Sequence, residues 1–131
     1  MLESGTYTPQ EDVAAIDINI PHSLGVVPDF IVVMADEFTA TSDLTKNYIG
    51  TAFFIKKSIN RDATPQEGIS FDLTNNPNNT SYTPRYWSYT MSAFCTDTIF
   101  KIPRYNSGWM LKAGITYHYV IGKFKEVTSN A

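Results

Sequence analysis

The chain has 131 residues, a formal net charge of −3, 14% aromatic and only 18% charged residues. So many rings and so little charge exclude intrinsic disorder, and an acidic balance without clustered Lys and Arg argues against nucleic acid. No apolar run approaches the roughly 18 residues of a membrane helix, so one domain, residues 1–131, without membrane insertion is expected.

Apolar residues recur with the period of strands. Ile16, Ile18 and Ile20 alternate with Asp17 and Asn19, predicting a half-buried strand that Pro21 stops before a turn at His22-Ser23-Leu24-Gly25. Phe30-Ile31-Val32-Val33-Met34 is a continuous apolar run, the pattern of a strand covered on both sides. Tyr48 to Lys57 contains Ala52-Phe53-Phe54-Ile55, and Ile69, Phe71 and Leu73 alternate with Ser70 and Asp72 in another half-buried strand. Trp87, Tyr89 and Met91 share one side of the next strand and are expected to be mostly buried, with Tyr86 opposite them and exposed. Short strands follow at Thr98–Ile102 and Trp109–Leu111, the second turning at Ala113-Gly114. The last strand sets Ile115, Tyr117, Tyr119 and Ile121 on one face against Thr116, His118 and Val120. Helical turns fit only at Gln10–Ala15 and Ser42–Lys46, both too short for a stable helix. Eight to nine short strands predict an all-β fold, a single antiparallel β-sandwich of jelly-roll-like type.

Chemistry-bearing motifs are sparse. The single cysteine, Cys95, sits among apolar neighbours and reads as a small buried hydrophobe. His22 is expected to brace its turn, and His118 to be structural. Asp36, Glu37 and Asp43 offer carboxylates to a cation, but their spacing matches no calcium loop, so a solvated acidic loop is preferred and no metal is assigned. Asn78 and Asn79 fit the glycosylation pattern, yet Met1–Gly5 has neither the basic nor the apolar part of a signal peptide, and no modification is expected. Without a nucleophile elbow, phosphate loop or zinc spacing, no catalytic residue and no cofactor is assigned.

Rings remain. Tyr and Trp combine an apolar body with a polar tip, which suits interfaces and sugar stacking. Tyr82, Tyr86 and Trp109, with Asn76, Asn79 and Arg85, form the candidate binding or interface set, on a contact surface expected to include the Asp36–Asn47 and Asn75–Arg85 loops.

Three segments carry a resemblance: Gly5-Thr6-Tyr7-Thr8-Pro9; His22-Ser23-Leu24-Gly25-Val26-Val27-Pro28-Asp29-Phe30; and the closing Ala113-Gly114-Ile115-Thr116-Tyr117-His118-Tyr119-Val120-Ile121-Gly122. Together they resemble the small β-sandwich modules of tailed-bacteriophage virion proteins, of the tail-fibre and baseplate-associated type. Tyr119 stands where that pattern expects Trp, and the middle of the chain carries no resemblance. The resemblance implies a non-enzymatic virion component, a homotrimer assembled in the bacterial host cytoplasm, contacting other virion proteins or a host-surface glycan. Two alternatives stand beside it. One is a capsid decoration or head-fibre protein, favoured by the lack of a stalk repeat in these residues. The other is a carbohydrate-binding protein stacking sugars on Tyr82, Tyr86 and Trp109.

Overall fold

The computed structural model describes residues 1–37, 47–58, 67–75, 82–90, 92, 94–105 and 108–124. Among them are ten strands: β1 (Leu2–Tyr7), β2 (Val13–Ala14), β3 (Ile20–Pro21), β4 (Phe30–Ala35), β5 (Ile49–Lys56), β6 (Glu67–Asn75), β7 (Tyr82–Thr90), β8 (Ile99–Phe100), β9 (Met110–Leu111) and β10 (Tyr117–Gly122). Six form one antiparallel sheet in the order β1-β10-β4-β5-β6-β7, while β2 pairs with β9 and β3 with β8 in two-residue ladders. The fold is all-β and sandwich-like, with layers of unequal size. Strands β4 to β7 run as a meander, and β10 returns to lie between β1 and β4.

Period-two alternation sends one set of side chains inward from each strand. Ile31 and Val33 of β4, Ala52 and Phe54 of β5, and Tyr117 and Ile121 of β10 are buried on the inner face. Ala15, Ile18 and Ile20, Phe94, Cys95, Phe100 and Ile102, and Leu111 and Ile115 close over them from the smaller layer, making one hydrophobic cluster. Phe54 and Phe94 meet across the layers with ring centroids 4.9 Å apart.

A buried ion pair ties the sheet together. Asp29 Oδ1 lies 3.0 Å from Lys56 Nζ, both side chains being buried, and Asp29 Oδ2 accepts from the Phe124 N–H at 2.7 Å. The Asp29 N–H donates to the Gly122 carbonyl at 2.7 Å, and its carbonyl accepts from the Lys56 N–H at 3.0 Å. One residue thus clamps the end of β10 to the entry of β4 and the exit of β5.

Several sequence expectations need correction. Ala15–Asp17 forms a 3₁₀ turn and only Ile20–Pro21 is strand, so the isoleucine alternation does not mark one continuous strand. The β4 run is covered on one side only: Val32 is 39% and Met34 57% exposed. In β6 the expected faces are exchanged. Ser70 and Asp72 are fully buried, while Ile69 is 45% exposed and Phe71 and Leu73 are half-buried. The cause is an irregular segment packed beneath β6. Ser70 Oγ donates to the Arg104 carbonyl at 3.1 Å, and Asp72 Oδ2 accepts from the Tyr105 N–H at 2.6 Å. Buried backbone groups outside a ladder need such partners, and these two side chains supply them. Strand β1, absent from the sequence reading, pairs with β10 from Leu2↔Gly122 to Tyr7↔Tyr117. The possible helix at Ser42–Lys46 lies outside the described residues.

Candidate functional site

Of the candidate contact residues, four fall among the described residues and they divide between two faces. Tyr82 opens β7 opposite Asn75, so Tyr82 and Arg85 belong to a strand, not to a loop. Tyr86 pairs with Phe71 on the outer face and is 73% exposed, as its parity with Trp87 indicates. Arg85 is exposed opposite Asp72, and its Nη1 donates to the Pro84 carbonyl at 3.1 Å. Trp109 packs half-buried against the core. Asn76 and Asn79 lie outside the described residues, as does most of the Asp36–Asn47 loop. The structure therefore sets Arg85 and Trp109 about the inner side of β6, and Tyr86 apart from them.

Trp87 departs from its expected burial: it is 57% exposed at the free edge of the sheet, its ring meeting Tyr105 edge-on at 6.0 Å. Tyr89 is half-buried, donates its hydroxyl to the Tyr105 carbonyl at 2.7 Å and stands perpendicular to Phe94. Arg104 covers the other side of Phe94 at 5.2 Å, a cation over a ring face. These contacts hold the 103–105 segment in place under β6 and β7.

A strongly perturbed carboxyl belongs to the same cluster. Burial pushes Asp72 up to about 6, against the opposing pull of the Tyr105 N–H, Trp109 and Arg85. The Trp109 indole N–H is near enough to favour the charged form but misses hydrogen-bond geometry, leaving Asp72 Oδ1 and Trp109 Nε1 without partners. Both atoms are sealed from solvent, so the arrangement clamps backbone and offers nothing to a ligand. Burial also pushes the Cys95 thiol up to about 12, where it holds its proton and is a poor nucleophile. Among the described residues no group of three His, Cys, Asp or Glu converges as a metal site. Asp36 instead hydrogen-bonds His118 on the outside of the molecule, and Asp43 lies outside the described residues.

His22 braces its turn as expected. Its Nδ1 accepts from the Leu24 N–H at 3.2 Å, which puts the ring proton on Nε2, 2.9 Å from the Thr96 carbonyl it donates to. Gly25 follows with φ +72°, a conformation glycine adopts without strain.

What the sequence reading missed is the outer face of the large sheet. The register brings Val120, Val32, Phe53, Phe71 and Tyr86 into one row across five strands. The next row holds Phe30, Ile55 and Ile69. Phe53 and Phe71 stack at 4.8 Å. Phe30, Val32, Phe53, Ile55 and Phe124 line a wholly apolar open concavity of about 380 Å³. The signal was present in the sequence: a strand apolar on both sides, such as Phe30–Met34, calls for cover on both sides.

No family model matches this chain, and no curated protein or solved structure matches it either.

Proposed function

We propose that this chain is a non-enzymatic structural module of a tailed-phage virion, part of a tail fibre, baseplate or similar appendage. It would be assembled in the host cytoplasm as a homotrimer and make subunit or host-surface contacts. The observation that carries the reading is the way the three resembling segments fold together. Gly5-Thr6-Tyr7 lies in β1, the His22–Gly25 turn leads into β4 at Phe30, and the closing segment is β10, which pairs with both. Segments a hundred residues apart thus form one contiguous three-strand unit, as parts of a single motif should. An inert thiol and a sealed carboxyl favour a contact role over catalysis.

The test is mass spectrometry of purified particles from the phage whose genome encodes the chain. Stoichiometric presence is expected, low copy number assigning the appendage and high copy number the capsid-decoration alternative. Absence from particles would overturn the reading. The carbohydrate alternative draws on exposed Tyr86 and Trp87. These neighbours point to opposite faces of β7, however, so one sugar ring cannot stack on both.

A further inference from the structure

We propose that the outer face of the six-stranded sheet is a self-association surface, closed in solution by a second copy of this chain packed sheet to sheet. An antiparallel sheet with one solvated face shows polar residues on that face. This one carries exposed polar residues on its edge strands, Ser4 and Thr6 on β1 and Ser88 and Thr90 on β7, around an apolar centre. Val32, Met34, Ile55, Ile69, Tyr86 and Val120 are all exposed there, and in β6 the apolar side chains point outward while the polar ones are buried. Among the described residues nothing lies over them except Phe124, whose ring meets Phe30 at one margin.

Three features select a copy of the chain as the occupant. Area is the first. With Leu2 and Phe124, these side chains leave roughly 800 Å² accessible, about what each partner contributes to a standard interface and more than the largest apolar patch of a typical monomer.

Charge is the second. The outward positions of the central strands carry none, and charges occur at the ends: Lys57 with Glu67, 3.4 Å apart, at one, and Asp36 with His118 at the other. An apolar centre with a polar rim is the anatomy of a protein interface. Lys57 already faces Glu67 within the chain, so that end can meet its own copy with its charges offset, as a self-complementary contact requires.

Shape is the third. Two such sheets packed about 10 Å apart would interleave these side chains as the two inner faces of a sandwich do. Protruding Met34 and Tyr86 of one copy would stand opposite the Phe30–Phe53–Ile55 concavity of the other. The inference goes beyond the homotrimer proposed above by adding a twofold contact, and its biological use rests on the virion reading.

The experiment is light scattering after size exclusion on wild-type protein and on Val32→Asp/Ile69→Asp, with circular dichroism and thermal melting to establish the fold. Both positions are more than a third exposed, so the sheet should survive. The wild type should give an even multiple of 14.7 kDa, twice it or, with the proposed trimer contact also formed, six times it, and the double variant half that mass with its β spectrum and melt retained. Asn19→Asp, exposed and remote from the face, should keep the wild-type mass. If the double variant fails to fold, Met34→Lys replaces it with the same expected fall in mass. A wild-type monomer at high micromolar concentration would overturn the proposal, as would a folded variant that keeps the wild-type mass. A monomer that floats with phosphatidylcholine vesicles would give the face to a lipid surface and equally overturn it. The particle experiment is separate: an assembly split by these substitutions in a chain absent from virions would sink the virion reading and leave the face as assigned here.

Discussion

The two faces of the large sheet are built from the same six strands yet differ in what covers them. Inside, Ile31, Phe54, Tyr117 and Ile121 are sealed by a second layer drawn from the chain itself, with buried polar groups assigned to specific backbone partners. Outside, Val32, Ile55, Ile69 and Val120 are nearly as apolar but lie open. A sheet's second side costs little to leave bare only if it is polar. The difference teaches that this chain completes one side of its sandwich and leaves the other to be completed by association.

Neighbouring residues give the sharpest contrast. Phe54→Ala, on the sealed face, should cost about 3–5 kcal/mol in urea unfolding. Ile55→Ala beside it, measured in dilute solution, should cost about 1 kcal/mol or less because its side chain is already partly in water. Equal losses would erase the distinction between the faces. Asp29→Ala should rank with Phe54→Ala, at about 3–5 kcal/mol, since it leaves the Lys56 ammonium buried without its partner. A loss under about 1 kcal/mol would mean that Lys56 finds water.

Gly25→Val tests the turn that feeds β4. A Cβ at Gly25 meets nothing within 4 Å, so the penalty is conformational only, about 1–3 kcal/mol from φ +72°. The variant should fold with a lowered melting temperature, a milder result than the outright misfolding that a crowded turn would bring.

A further contrast lies in pH dependence. Asp72 in the folded chain titrates near 6, above its ordinary 3.8, because burial opposes the charge. Between about pH 4 and 6 the folded chain therefore binds a proton that the unfolded chain has lost. The stability tied to that proton is fully present below pH 4 and is lost as pH rises through 6. Asp72→Asn stays neutral and should flatten this slope, its stability relative to wild type rising from pH 4 to 7. Parallel stability curves for the two proteins would show that Asp72 is not held out of water.

Strand β10 was legible because its period-two pattern agrees with its burial on the inner face, and β4 because an unbroken apolar run reads as a strand, although its outer side lies open. Strand β6 misled for a physical reason. Ser70 and Asp72 are inside because they satisfy backbone at Arg104 and Tyr105, more than thirty residues away, and periodicity carries no trace of such a contact. Strand β1 was hidden by a weak strand composition, Leu2-Glu3-Ser4-Gly5. Its Gly5 leaves room for the hydroxyl end of the Tyr119 ring, which a Cβ there would meet. Of the contact surface, the exposure of Tyr86 followed from its parity with Trp87. The apolar face did not, because reading apolar alternation as burial within one chain leaves no place for cover supplied by another.

Met34 reports on that cover most directly, since its thioether stands 57% exposed in the single chain within the proposed contact, beside its Asp36–His118 end. Its oxidation to sulfoxide by hydrogen peroxide, followed by peptide mass spectrometry across a dilution series, reads accessibility in unmodified protein. Strong protection at high concentration that is lost on dilution is the expected result. A rate that is fast and independent of concentration would contradict closure of the face by a second copy.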